Sequence, residues 1–158
     1  MNILVFSDTH GELKRALELY EQIASFAKID VIVHCGDMYS DAKELGEILQ
    51  KEIVRVPGNC DGCRERAYKV IDIPSGKMLV THGHMESVKH SMLPLLYLAE
   101  ENGCNVVCYG HTHIPQNEQI GDIRVINPGS TSRPRDGGNG SCAFICASED
   151  SVVATIIK

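Results

Sequence analysis

The sequence lacks an excess of basic residues, a long apolar run, and any linker, internal repeat or low-complexity tract. Its formal net charge of -6 argues against a nucleic-acid-binding protein held by a broad basic surface. No apolar run reaches the roughly 20 residues that span a bilayer, so we expect no membrane partner. Without a linker, residues 1–158 are expected to form a single domain, large enough to bury roughly 70% of the unfolded surface.

We also expect no secretory signal, because Met1 leads directly into the strand-like residues 3–6. Seven cysteines are then best explained as reduced thiols in a cytoplasmic protein. Cys60 and Cys63 form a lone C-x-x-C, and the other cysteines lack the spacing of a second zinc-binding pair. A structural zinc or a redox role for this pair is therefore not favoured.

Apolar strands that end in a potential metal ligand recur along the sequence. Residues 31–33 are β-branched and predict a strand buried on both faces, and Asp37 follows them after a glycine. Ligands collect at the carboxyl ends of strands in open α/β sheets. We therefore expect one cluster of strand-end side chains, formed by Asp8, His10, Asp37, Asn59, His82, His111 and His113.

Other readings of these residues stay open at this point. Asp8 or Thr9 could instead cap the helix that follows, and Asn59 could belong to an ordinary polar turn. Seven nitrogen and oxygen ligands nevertheless exceed what one ion needs, and they suit two ions bridged by the Asp37 carboxylate. Such ions lower the pKa of bound water, and a pair roughly 3.5–4 Å apart can stabilise the attacking and leaving oxygens at phosphorus.

The remaining periodicity predicts three helices and a second sheet. Apolar residues recur with a helical period over residues 12–26, which predicts the first helix. A second helix is predicted to begin with Asp41 as its N-cap, and a third to cover about 88–101 with Pro94 near its start. Residues 68–73 and 77–81 are predicted to form a hairpin. Further strands are predicted at 2–6, 53–56, 105–109, 123–126, 142–147 and 152–157.

The order D-x-H, G-D, G-N, H-G-H and G-H-T-H resembles that of the calcineurin-like metallophosphoesterase superfamily. The short chain, residues 59–61 and the Asn-Pro-Gly-Ser loop at 127–130 make it similar to the small YfcE-type phosphodiesterases. The resemblance implies an α/β fold, a four-layer α/β/β/α sandwich with two mixed β-sheets. It also implies a cytoplasmic hydrolase of a small phosphodiester, and small relatives often form homodimers or homotetramers.

By the same resemblance, Asp37, Asn59 and His82 act in catalysis. One ion would be held by Asp8, His10, Asp37 and His113, and the other by Asp37, Asn59, His82 and His111. Mn²⁺ is the expected ion, with Fe²⁺, Ni²⁺ and Zn²⁺ as alternatives for this mixed ligand set.

Residues around the ligands differ in how strongly the sequence supports a role. Many relatives carry a histidine where this chain has Cys60, which favours diester over monoester hydrolysis. Cys60, Arg133 and Arg135 are candidate substrate-binding residues, although the arginines could equally be exposed loop charges. His84 is a candidate for orienting His82. A non-catalytic scaffold similar to the retromer subunit Vps29 remains the alternative function.

Overall fold

The computed structural model describes residues 1–64 and 67–158, which contain two five-stranded mixed sheets flanked by helices. The first sheet has the order β10-β9-β1-β2-β3 and the second β4-β5-β6-β8-β7. The elements are β1 (Asn2–Phe6), α1 (Lys14–Ala24), β2 (Val31–His34), α2 (Tyr39–Leu49), β3 (Ile53–Arg55), β4 (Tyr68–Ile73), β5 (Gly76–Thr81), α3 (Leu93–Glu101), β6 (Val106–Cys108), β7 (Gln116–Ile120), β8 (Ile123–Asn127), β9 (Cys142–Ala147) and β10 (Val152–Ile157).

Side-chain alternation along β1 shows why two sheets stack with helices outside. Ile3 and Val5 belong to the core between the sheets, whereas Leu4 and Phe6 pack with Leu19 of α1 on the other face. Successive residues of a strand point to opposite faces, so a strand apolar at every position needs cover on both.

The second sheet is covered in the same way by α3. A cluster that includes Leu79 of β5, Val107 of β6 and Leu95 of α3 is fully buried. The order of layers is therefore helix, sheet, sheet, helix, which confirms the predicted four-layer α/β/β/α sandwich. The strands β1, β2 and β3 pair in parallel, as strand–helix–strand connections require.

The start of one predicted helix is wrong, and one strand was not predicted. The helix predicted from residue 88 begins at Leu93, because residues 84–90 form turns. The strand β7 was missed because its sequence QNEQI shows no apolar alternation. An edge strand that pairs only with β8 can carry polar side chains on both faces.

None of the helices in the described ranges is long and apolar enough to cross a membrane.

Candidate metal centre

The seven predicted ligands all lie in segments that leave the carboxyl ends of strands, and these segments meet at one edge of both sheets. Six of the ligands lie in loops, and Asn59 begins a short 3-10 helix (Asn59–Asp61). Parallel pairing of β1 with β2 and of β5 with β6 brings their ends together. Asp8 and His10 follow β1, Asp37 follows β2, Asn59 follows β3, His82 follows β5, and His111 and His113 follow β6.

A first group consists of Asp8, His10, Asp37 and His113, whose ligand atoms all lie within 4.8 Å of one another. His113 Nε2 is 3.2 Å from Asp8 Oδ1, and His10 Nε2 is 3.3 Å from His113 Nε2. Asp8 Oδ1 is buried and accepts no hydrogen bond. An unpaired buried carboxylate oxygen is costly, and a cation among these ligands would remove that cost. The donor set therefore fits a divalent metal ion.

A second group surrounds the other side of Asp37. His82 Nε2 lies 3.4 Å from Asp37 Oδ1 and 3.1 Å from Asn59 Oδ1. The ring of His111 is 5.1 Å from that of His82, measured between centroids. Asp37 Oδ2 faces the first group instead, 3.6 Å from His10 Nε2. The two oxygens of one carboxylate thus face two different sets of ligands.

Backbone carbonyl groups orient two of the histidines. His82 Nδ1 lies 2.8 Å from the carbonyl oxygen of Cys35, and His113 Nδ1 lies 2.7 Å from that of Arg133. A carbonyl oxygen only accepts, so each Nδ1 carries the hydrogen and donates it. Each Nε2 is then left with its lone pair toward the centre, which is the arrangement of metal-bound histidines.

The backbone of the ligand loops is strained. Asp8, His10, Asp37, His111 and His113 have φ values of 55°, 45°, 60°, 68° and 60°. Non-glycine residues rarely adopt this left-handed region, and such strain, of order 1–3 kcal/mol for each residue, concentrates at functional sites. Five of the predicted ligands share it, so the surrounding structure holds them in place against their own preference.

The glycine before each of three ligands has a steric reason. A Cβ at Gly58 would collide with Asp37 Oδ1, and a Cβ at Gly110 would lie 2.7 Å from Asp8 Oδ2. A Cβ at Gly36 would lie 2.8 Å from His82 Nδ1. In each case the clash is with a ligand from a different loop, so these glycines allow the loops to pack closely.

The loop after β1 is held by α2, and the helix-cap alternatives are wrong. Helix α1 begins at Lys14 without a side-chain cap, so neither Asp8 nor Thr9 caps it. Asp41 does not cap α2 either, although it was predicted to do so. Its Oδ2 accepts hydrogen bonds from Thr9 Oγ1 at 2.7 Å and from the Gly11 amide at 2.6 Å.

The pKa shifts within the centre favour cation binding. Burial raises the pKa of Asp8, but the interaction with His113 when that ring is protonated, the charge of His82 and the hydrogen bond from Ser7 bring it below the ordinary value. Burial lowers the pKa of His10, and it lowers that of His111 to about 4. These two rings are neutral at pH 7, the form that binds metal. The pKa of His113 is raised by its hydrogen bond to Asp8, so a metal ion there competes with a proton.

Cys60 lies against the same carboxylate. Its amide donates to Asp37 Oδ1 at 2.9 Å, and its thiol donates to Asp37 Oδ2 at 3.3 Å. Partial burial of the thiol and then the hydrogen bond to Asp37 raise the pKa of Cys60 to about 11. The thiol is therefore protonated at neutral pH, which makes it a poor nucleophile.

Cationic side chains border the centre. Arg133 and Arg135 line a cavity of about 360 Å³ together with five of the seven ligands, all except Asp8 and His82. Lys89 lines it as well, and sequence reasoning missed it because it lies in turns that carry no strand-end pattern. The ring of His84 is 5.2 Å from that of His82, and His84 Nδ1 is buried without a hydrogen-bond partner. His84 therefore lies beside the ring of His82 but does not orient it through a hydrogen bond from Nδ1.

Comparison with known proteins gives consistent matches over the whole chain. A family model described as "Calcineurin-like phosphoesterase superfamily domain" matches residues 1–150. The chain is 36% identical over 155 residues to the "probable metallophosphoesterase YsnB" of Bacillus subtilis (strain 168), covering 96% of this chain and 87% of YsnB. It is 31% identical over 177 residues to phosphodiesterase YfcE of Escherichia coli (strain K12), covering 98% and 92%.

Solved structures share the fold. A predicted phosphoesterase from Streptococcus pneumoniae TIGR4 has a TM-score of 0.79 at 30% identity, covering 99% of this chain and 88% of that one. A Vps29 single mutant from Entamoeba histolytica has a TM-score of 0.76 at 21% identity, covering 99% and 98%. The second likeness concerns the fold alone.

Proposed function

This chain belongs to the calcineurin-like phosphoesterase superfamily, and on that premise we propose that it is a phosphodiesterase with a dinuclear metal centre. The family uses divalent metal ions to hydrolyse phosphoester bonds, and YfcE is named a phosphodiesterase. The observation that carries the proposal is the placement of Asp37, whose two carboxylate oxygens face two separate ligand groups.

One ion is proposed to be held by Asp8, His10, Asp37 and His113, and the other by Asp37, Asn59, His82 and His111. The first set is supported by the 4.8 Å grouping and by the unpaired Asp8 Oδ1. The second is supported by the contacts of His82 Nε2 with Asn59 and Asp37. Neutral imidazoles, carboxylates and an amide oxygen suit Mn²⁺, with Fe²⁺, Ni²⁺ and Zn²⁺ as alternatives.

Two such ions would supply a water of lowered pKa and positive charge for the oxygens at phosphorus. The chain's own residues position the substrate around them. Arg133 and Arg135, which line the cavity, are proposed to bind phosphate oxygens, since a guanidinium fork matches two of them, and Lys89 adds a third positive charge. Hydrogen bonds to the Cys35 and Arg133 carbonyls keep His82 and His113 in the tautomer with the hydrogen on Nδ1, which leaves Nε2 free to bind an ion.

Diesters are the proposed substrates because Cys60 occupies the position at which many relatives have a histidine. A protonated thiol with a pKa of about 11 is a weak general acid at neutral pH. A leaving alkoxide would receive little help from it, so diesters with good leaving groups should react faster than monoesters.

A scaffold with the fold of Vps29 is the second candidate, favoured only by the TM-score of 0.76. A scaffold has no need of five strained, converging ligand residues. Elemental analysis of gently purified protein, combined with hydrolysis of a phosphodiester panel after EDTA treatment and reloading with each metal, separates the two. About two bound ions per chain and metal-restored hydrolysis are expected. Retention of no metal and absence of hydrolysis with every ion would favour the scaffold.

A further inference from the structure

A larger cleft adjoins the metal centre and shares two of its cationic side chains. The cleft has a volume of about 540 Å³, against about 360 Å³ for the cavity that holds the ligands. Lys89 and Arg135 line both of them. The two cavities are therefore neighbours that share this pair of cations, and a molecule held at the centre lies beside the cleft.

The loop that carries two ligand histidines also forms a wall of the cleft. His111 and His113 line the cavity of the centre, whereas Thr112 and Ile114 line the cleft. Residues thus alternate between the two cavities along this stretch, so the loop that places the ligands also places the wall. Ile114 is 50% exposed, and an apolar side chain held open beside a ligand residue offers contact surface to a bound group.

The rest of the cleft combines apolar surface with a short polar chain. Val88 and Met92 contribute apolar surface from the segment before α3. The hydroxyl of Tyr109 donates to Gln116 Oε1, and Gln116 Nε2 donates to Glu118 Oε2 at 3.1 Å. Apolar walls with a few placed polar groups, in a volume of roughly 300–1,000 Å³, are the usual form of a small-molecule site.

We infer that this cleft binds the non-leaving alcohol group of the phosphodiester, and that this group is a neutral ring system of nucleoside size. The inference rests on the proposed function, since it takes the reacting phosphate to lie at the metal centre. A diester, unlike a monoester, carries a second organic group that must lie beside the centre. The cleft provides apolar surface for that group where Lys89 and Arg135 join the two cavities.

The polar groups of the cleft select against other occupants. A hydrocarbon chain laid over Thr112, Gln116 and Glu118 would bury polar atoms without new partners, whereas the edge of a heteroaromatic ring can hydrogen-bond to them. The carboxylate of Glu118 would repel a second phosphate. Lys89 and Arg135 instead attract the one phosphate at the junction.

Three diesters that share p-nitrophenolate as leaving group test this inference, with a methyl, an n-octyl or a thymidine 5′ group as the second alcohol. In each, a water oxygen bonds to phosphorus, the bond from phosphorus to the aryl oxygen breaks, and p-nitrophenolate leaves. Hydrolysis of the nucleoside diester thus releases thymidine 5′-monophosphate. We expect its kcat/KM to exceed that of the methyl diester at least tenfold. A faster octyl diester would overturn the assignment of a ring.

Two variants and a matched control locate the effect. Met92→Ala and Ile114→Ala should lower the ratio of thymidine to methyl kcat/KM at least fivefold. Ile48→Ala is the control, because Ile48 is 51% exposed on α2 and lines neither cavity. An unchanged ratio in both cleft variants would overturn the inference while leaving the phosphodiesterase itself in place.

Failure of the proposed function would look different, as no diester would be hydrolysed with any metal. Binding of a nucleoside group in the cleft is then tested by titrating thymidine 5′-monophosphate, with inorganic phosphate as reference, into Mn²⁺-loaded protein. Nucleotide binding weakened at least fivefold by Ile114→Ala, with phosphate binding retained, supports the cleft. Equal affinities in the native protein and the variant overturn it.

Discussion

Cys60 contacts Asp37 through both its backbone and its side chain, the amide with Oδ1 at 2.9 Å and the thiol with Oδ2 at 3.3 Å. The carboxylate that faces both ligand groups is therefore oriented by Cys60. Any change at position 60 acts on the position of Asp37 as well as on the chemistry beside it.

Replacing Cys60 by histidine should raise hydrolysis of phosphate monoesters at least tenfold, because a positioned general acid contributes typically 10²–10⁴-fold. Initial rates on p-nitrophenyl phosphate and bis-p-nitrophenyl phosphate would measure the ratio of monoester to diester hydrolysis. Cys60→Ser is the control, since it keeps a small donor near Asp37 without adding an acid that titrates near pH 7. A monoester rate that stays unchanged in Cys60→His means that the missing histidine does not limit this activity.

Asp37→Asn should abolish hydrolysis and weaken both ions, because the bridge loses its charge and its NH₂ group would face a cation. Metal content by elemental analysis should fall by both equivalents. Asp72→Asn is the matched control, because Asp72 is an exposed aspartate on β4, outside the ligand loops. Full metal content and rate in Asp37→Asn would refute the bridging role.

His111→Ala and His113→Ala should each remove a different ion. His113 contacts Asp8 and His10, whereas the ring of His111 lies edge-to-face with that of His82. Crystals of His113→Ala soaked in Mn²⁺ should lack the anomalous peak beside Asp8. Crystals of His111→Ala should lack the peak beside Asn59. Turnover should fall by orders of magnitude in both, since each change removes charge stabilisation at phosphorus. Loss of the same peak in both variants would contradict the ligand assignment.

Gly58→Ala should reduce metal affinity at least tenfold although alanine suits the backbone, since φ of Gly58 is -108°. The added Cβ collides with Asp37 Oδ1 and with the backbone nitrogen of Asp37, so both the carboxylate and the loop that carries it must shift. Gly138→Ala is the control, because its Cβ would meet only the Asp136 side chain at 3.2 Å. Mn²⁺ titration by calorimetry measures both. Equal affinities would show that the loop around Gly58 adapts freely.

His34 should make the metal-free protein sensitive to acid. Its Nδ1 accepts from the Gly36 amide at 3.2 Å, and its Nε2 lies 3.2 Å from Thr9 Oγ1. Burial lowers its pKa to about 4. Between pH 6.5 and 4 the unfolded chain binds a proton that the folded protein does not. The free energy of unfolding therefore decreases as the pH is lowered across this range, by roughly 3 kcal/mol in total.

Urea unfolding in EDTA between pH 4 and 7 measures this slope. His34→Gln should flatten it, whatever its effect on stability at pH 7. His90→Gln is the control, because His90 is exposed and its loss should leave the slope as it was. Identical slopes in the native protein and His34→Gln would contradict the assignment.

The sequence by itself determined the local features of this protein. The apolar runs of β1 and β2, the helical period of α1 and the ligand at each strand end are all encoded within a few residues. Their chain order alone carries the family resemblance, and strand-end geometry explains why the ligands converge.

The spacing of the ligands along the chain does not determine which of them are neighbours. The family resemblance implied two sets, and only the tertiary structure decided the contacts. His111 and His113 are two residues apart, yet the ring of one lies beside His82, 29 positions away, and that of the other beside Asp8, 105 positions away. Packing of strand ends that are distant in the sequence brings these residues together. The same holds for Lys89, for the polar edge strand β7 and for the glycine clashes with Asp37 and Asp8. The local sequence pattern determines the secondary structure and the chemistry that each residue can provide. Packing between segments distant in the sequence determines which other residues it contacts.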